Sequence, residues 1–355
     1  MKRAKIATYL AMVLLTATQV MAGTQYTIVD IGSLGGTYSE AVSINNSGQV
    51  VGFSYTERGE RHAFFYDGST MRDLGILGRN ESAAGGINDI GCIAGYSITG
   101  DGDRLAFLYD GSTTHDLGIL SGGSRSAALG INNSGQVIGA SDTGNSGYHA
   151  FLYDGTAMHD LGTLGGSVSY ALGINNNGYV VGESYLIGDD ISHAFFYDGA
   201  TMHDLGTLGG SESEAEGIND RGQIVGVSQL SEGYAHHAFL YDGTEMHDIG
   251  TLGGDMSWAS DINNSGYVVG CSDIVGHARH AFLYDVTKGM LDLNDVIPSN
   301  SGWILENARG INDFGQIVGY GIINGETHAF LMSPVPEPAT ILLVGIGGLV
   351  LRKKR

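Results

Sequence analysis

The dipeptide Ile-Asn recurs seven times in this chain, beginning at residues 44, 87, 131, 174, 218, 262 and 311. The spacings are 43, 44, 43, 44, 44 and 49 residues, and the neighbouring letters recur with them. An alanine stands three residues before each copy (Ala41, Ala84, Ala128, Ala171, Ala215, Ala259 and Ala308). A turn glycine follows four residues after the isoleucine, and a second glycine four residues beyond that. Each unit then reaches an Ala-Phe pair, and seven of the eleven phenylalanines fill its second position. A unit of this length cannot bury its own apolar face, so the units must pack on one another.

Every unit carries four strand-length runs. Strand a ends in Ile-Asn, as over 169–175, and an Asn-Asn-Ser-Gly type turn leads to the β-branched strand b, as over 136–140. Strand c is the His-Ala-Phe-Leu-Tyr run, and Asp-Gly is a hairpin signal into strand d, as over 202–205. No apolar period of 3.6 residues runs through the units, so helices are not expected. Four strands per roughly 44 residues match a propeller blade. Residues 26–34 read as a strand d with no a, b or c before it, whereas the last unit stops after strand c at Leu331. These offset ends predict an all-β, seven-bladed β-propeller over 23–333, its N-terminal strand completing the last blade. A β-solenoid, which needs no such offset, is the alternative. The recurring words His-Ala-Phe-Leu/Phe-Tyr-Asp-Gly and Asp-Leu-Gly-Thr-Leu-Gly-Gly resemble the extracellular HAF-family repeat across nearly all of 26–332.

Both termini read as addresses rather than fold. Residues 1–22 combine Lys2, Arg3 and Lys5, an apolar run and Ala22 before a cut, the layout of a secretory signal peptide. At the other end, residues 339–351 are uncharged and too short for a comfortable membrane span, and Arg352, Lys353, Lys354 and Arg355 follow. Pro336, Glu337 and Pro338 before an apolar stretch and a basic end resemble the PEP-CTERM sorting signal over 334–355. That resemblance implies transient anchoring in the inner membrane of a Gram-negative bacterium through a short transmembrane helix. It further implies processing by the protease-transpeptidase exosortase, then release to the cell surface or exterior.

Charge narrows the partners. The chain has 17 basic and 38 acidic residues. Without the signal and the tail these become 10 and 37, a net charge of −27. Such a surface repels phosphate backbones, so nucleic acid is not an expected partner. Two cysteines, Cys92 and Cys271, both in strand b of non-adjacent units, cannot staple a fold of this size.

Repetition argues against a catalytic role for any repeated residue, because a ring of copies spreads each group around an axis. His62, His149, His193, His237, His280 and His328 open strand c and are expected to bond the neighbouring blade rather than a metal. Asp101, Asp103, Asp189 and Asp190 sit in short acidic loops without the full pattern of a calcium loop. Solvated loops are expected there, with calcium as the alternative, and no other cofactor. The b–c loops differ in every unit and emerge with the d–a connections on one face, including the insertion 296–303. The opposite face, formed by short uniform turns, should be plain. Trp258 and Trp303 fall in or beside the d–a connections and, with those four aspartates, make the candidate ligand face. The expected function is non-enzymatic: a binding or structural component of an extracellular polysaccharide or biofilm matrix. A propeller glycosidase or polysaccharide lyase is the first alternative, and a protein–protein interaction module the second.

Overall fold

The computed structural model describes residues 25–75, 81–144, 147–231, 233 and 235–336. Among them are twenty-eight strands, β1 to β28 in chain order, and a single 3-10 turn at Leu293–Asp295. The fourth repeat shows the common plan: β14 (Gly165–Ile174), β15 (Val180–Leu186), β16 (Ser192–Tyr197) and β17 (Met202–Asp204) form one antiparallel sheet in sequence order. Five such four-stranded sheets are separate. The remaining eight strands form one sheet in which β1 (Tyr26–Gly32) pairs with β28 (Glu326–Pro334). A lone parallel bridge, Tyr38 to Thr327, joins that group to the first repeat's strands. The first strand therefore serves as strand d of the last repeat, as the offset ends predict.

The motif residues hold neighbouring sheets together. Ile138 and Ala150 of the third repeat pack with Ala171, Val180 and Phe195 of the fourth. Val318 and Ala329 of the last repeat pack in the same way with Ala41, Val50 and Phe64 of the first. Phe195 is fully buried, and burying such a ring is worth ~2–3 kcal/mol. The second glycine of each unit makes this packing fit. A Cβ at Gly182 would overlap the carbonyl oxygen of Tyr170 on strand a and press on the Phe195 ring.

The Ile-Asn asparagine has two roles. Its Oδ1 closes the a–b turn: Asn175 Oδ1 accepts from the amides of Asn177 and Tyr179, each at 3.0 Å. Its Nδ2 donates to the backbone oxygen of the same asparagine in the next repeat, as Asn45 does to Asn88 at 2.9 Å. The relay continues through Asn88, Asn132, Asn175, Asn219 and Asn263 to Asn312. Asn312 Nδ2 then donates to Asn45 O at 3.0 Å, returning to the first repeat.

The strand-c histidines bond within their own sheet, which corrects the expectation of a partner in the neighbouring one. His193 Nδ1 lies 2.9 Å from Asp204 Oδ1 on strand d, and His149 and His237 repeat the pair with Asp160 and Asp248. For His328 the partner is Asp30, 298 positions away on β1. Each pair lies diagonally across the paired c and d strands, two positions from the residue directly opposite, within side-chain reach.

Candidate functional site

In every repeat the pairing of strands a and b slips by one residue directly after the recurring alanine. Such a bulge leaves one residue unpaired and re-aims its side chain. The seven bulged residues are Val42, Gly85, Leu129, Leu172, Glu216, Ser260 and Arg309, and all seven line one central cavity of ≈ 370 Å³. Five are small or apolar. The two charged ones make the cavity asymmetric.

Arg309 Nε donates to Glu40 Oε1 at 2.9 Å, and Tyr38 Oη donates to the other oxygen of Glu40 at 3.0 Å. Burial alone would lower the Arg309 pKa, but the charges of Glu40 and Glu216 outweigh it and raise it. Glu214 and Glu216 are both pushed well above the usual carboxylate range, chiefly by desolvation. Asp261, where other repeats have Gly or Ser, is pushed up to about 6 by burial. Its oxygens accept from the amides of Ile262 (2.8 Å) and of Ile311 in the next repeat (2.9 Å). Glu40, Glu214, Glu216, Asp261 and Arg309 thus form a charged group without sevenfold repetition. For Glu216, Asp261 and Arg309 the sequence signal was a charge in columns that are otherwise small or apolar, whereas Glu40 and Glu214 share a mixed column with Ala, Tyr, Trp and Asn.

Towards the b–c loops the wall turns aromatic. Tyr38 stacks on Phe53 with ring centres 5.9 Å apart and meets Tyr55 edge-on at 5.8 Å. The Arg61 guanidinium lies 3.9 Å from the centre of the Phe53 ring and Arg104 lies 4.4 Å from that of Tyr96. Arg279 lies 4.4 Å from Trp258. Arg61, Arg104 and Arg279 all occupy the first position of strand c, each paired with the last residues of strand b.

The opposite opening, expected to be plain, carries a second polar ring beside the relay. There Asn46, Asp89, Asn133, Asn176, Asp220, Asn264 and Asp313 stand around one opening. Each aspartate is held by asparagines: Asp89 accepts from the Asn46 amide and from Asn133 Nδ2, both at 2.8 Å.

The remaining sequence candidates separate. Trp258 lies half-buried on strand a, beneath Arg279. Trp303 offers no face to a ligand: it is 9% exposed and meets Phe330 edge-on at 6.1 Å. The insertion that carries it covers the seam where β1 joins, with Tyr26 N donating to Val296 O at 2.9 Å. Asp101, Asp103 and Asp190 are exposed on two different loops. Asp189, with φ 59°, turns its carboxylate to the Ser167 amide at 2.7 Å. Among the described residues, no three or more His, Cys, Asp or Glu side chains are grouped as metal ligands. Cys271 is buried in strand b, but Cys92 falls in the turn before its strand rather than inside it, and neither forms a disulfide. Ala22, Glu337, Pro338, Arg352, Lys353, Lys354, Arg355 and the proposed transmembrane segment 339–351 lie outside the described residues. Pro336 is exposed just beyond β28. No helix among the described residues is long and apolar enough to cross a membrane.

Four-stranded antiparallel units set around a common cavity define the class, an all-β chain with the β-propeller fold. The β-propeller domain of the Trilobed protease from Pyrococcus furiosus is similar, with TM-score 0.51, 12% identity, 72% of this chain covered and 82% of that one. YCF48 bound to D1 peptide aligns at TM-score 0.47 and 12% identity, covering 90% of this chain and 100% of that one. The six-bladed fungal lectin from Aleuria aurantia aligns at TM-score 0.38 and 13% identity, covering 76% and 95%. Residues 334–355 match the PEP-CTERM protein-sorting motif, so the chain is an exosortase-sorted surface protein. Residues 211–329 match the family described as a protein of unknown function (DUF3466). No curated protein matches the chain.

Proposed function

We propose that the exported chain is a closed seven-bladed propeller, residues 23–333, that binds extracellular polysaccharide without transforming it, as a component of the surface matrix. Closure is supported by the asparagine relay, which returns from Asn312 to Asn45. It is also supported by the Val318–Ala329 packing on Ala41, Val50 and Phe64, which copies every internal junction. The observation that carries the binding reading is the meeting of aromatic rings and guanidiniums at the loop end of the cavity. Flat rings stack on the C–H faces of sugars while the guanidiniums donate to their oxygens. The resemblance to HAF repeats and the sorting tail favour an extracellular setting. A pull-down of the producing strain's exopolysaccharide with the secreted protein tests the idea. Retention should fall at least tenfold for Trp258→Ala with Tyr38→Ala, and unchanged retention would overturn it.

A second reading rests on the charged cavity. A glycoside hydrolase works with two carboxyls facing one space, and Glu40 and Glu216 line the same cavity, both acting on Arg309. Release of new reducing ends or unsaturated ends from the same polymer, abolished in Glu216→Gln, would establish an enzyme instead.

A further inference from the structure

The corner where the first two repeats meet holds positive charge in an acidic chain. Arg61 and Arg104 converge on one ring, with guanidinium carbons 5.7 Å and 4.4 Å from the centre of Tyr96. One carboxylate serves both the cation and the phenol. Glu81 Oε1 lies 3.3 Å from Arg61 and accepts from Tyr96 Oη at 3.1 Å. Arg61 Nε is buried and has no hydrogen-bond partner among the described residues. Arg104 is exposed, and its partner there is the Tyr96 ring rather than an acid. Glu81 pairs with one of the two guanidiniums, which leaves Arg104 with no acid partner among the described residues.

Beside this corner runs an open groove of ≈ 710 Å³, lined by Tyr38, Phe53, Tyr55, Glu57 and Arg61. That volume is in the range of small-ligand sites, ~300–1,000 Å³. Its aromatic side accepts the apolar face of a sugar ring, and its far end meets the guanidiniums.

We propose that this corner binds the carboxylate of an acidic sugar residue, of the uronic acid type, with Arg104 and Arg61 on the carboxylate and the Tyr38–Phe53 surface under the ring. This rests on the reading of the loop end as a glycan face and names the class of sugar it takes. A planar carboxylate matches the guanidinium fork, which donates two parallel N–H bonds. Dense polyanions are disfavoured, because Glu57 lines the groove itself and the exposed Asp101 and Asp103 stand just before Arg104. An arginine unmatched by an acid suits one carboxylate at a time, carried on a sugar that also offers an apolar ring face.

The test is calorimetric titration of the full chain with polygalacturonate oligosaccharides, their carboxyl-reduced counterparts and a sulfated neutral glycan of similar length. The proposal expects the carboxylated oligosaccharide to bind at least tenfold tighter than the other two. Arg104→Gln should weaken that binding ~10–100-fold, the loss typical of a charge-assisted pair. Arg72→Gln, on an exposed arginine paired with Asp67, should leave it unchanged. Circular dichroism and Tm check the fold of Arg104→Gln, whose exposed side chain covers the Tyr96 ring. Equal binding of the carboxylated and reduced forms would overturn this inference while sparing the glycan reading. Equal binding of the sulfated form would overturn carboxylate selectivity. No binding of any of the three would remove the inference together with the reading beneath it.

Discussion

Closure of the ring is testable at one side chain, because the structure offers a matched internal control. Asn132 makes four hydrogen bonds: Nδ2 to Gln136 Oε1 at 2.7 Å and to Asn175 O at 3.1 Å, and Oδ1 from the amides of Ser134 (3.1 Å) and Gln136 (3.0 Å). Asn312 makes the same four, to Gln316 Oε1 at 2.8 Å and Asn45 O at 3.0 Å, and from the amides of Phe314 (3.1 Å) and Gln316 (3.0 Å). The two side chains are equally buried, at 3% and 4% exposure. At ~1 kcal/mol net per bond, Asn→Ala should cost ~3–4 kcal/mol at either site. For the roughly 310 residues of the repeats, at about 2.1 cal/mol/K per residue, that is a fall in Tm of about 5–6 °C. If the last repeat docks on the first, Asn312→Ala and Asn132→Ala must cost the same. In an open array Asn312 would face solvent across the missing junction, and water would replace the lost partner. Urea unfolding of both variants, read by tryptophan fluorescence and by circular dichroism, measures the difference. Only the bond to Asn45 O crosses the junction, so a cost for Asn312→Ala lower than that of Asn132→Ala by ~1 kcal/mol or more would refute closure.

Three further outcomes follow from single observations. Gly182→Ala should cost about 3 kcal/mol, seen as a drop in Tm, because the added methyl overlaps the Tyr170 carbonyl; an unchanged Tm would mean that strands a and b lie farther apart than described. Glu214 carries a raised pKa in the fold, so folding takes up a proton, and its contribution is fullest below 4.5 and lost as pH rises through the folded value. Glu214→Gln should therefore melt higher than the parent at pH 8, with the gap closing by pH 4.5; a gap independent of pH would remove the desolvated carboxylate from the account. Replacing Pro336, Glu337 and Pro338 by alanine should leave the chain in the inner-membrane fraction, and its normal appearance at the surface would refute the role of the triplet.

The sheet order was legible because the repeats spell it out. Seven aligned copies show which letters recur, and the offset ends show which strand lacks neighbours. The strand-c histidine pairs were legible too, since an aspartate stands 11 residues after His149, His193 and His237. What obscured them was the assumption that a ring bonds between its blades. The cavity was harder to foresee. Whether Glu216 and Arg309 point inward depends on the one-residue slip after Ala215 and Ala308, and a bulge is set by hydrogen-bond register, not composition. The Arg309–Glu40 pair joins residues 269 apart. Trp303 misled because its insertion occurs once, so no other copy could show that it is a plug over the β1 seam.

A position that repeats seven times builds the ring, and a position that departs from its column is free to do something else. The ten basic residues between the two terminal signals follow that division unevenly. Arg61, Arg104, Arg279 and Arg309 stand at the cavity or its loop end, each against an aromatic ring or a carboxylate. The remainder of the surface is acidic, so an anionic polymer meets repulsion at long range and attraction only in contact. Screening at physiological ionic strength acts over ~8 Å. Added salt therefore relieves the distant repulsion while it weakens the contact pairs, and the two effects oppose each other. A basic polymer-binding protein has no such compensation and loses affinity steeply with salt. With four of the nine arginines between its terminal signals at the cavity or its loop end, the proposed ring would give up fast electrostatic capture and keep contact selectivity as ionic strength changes.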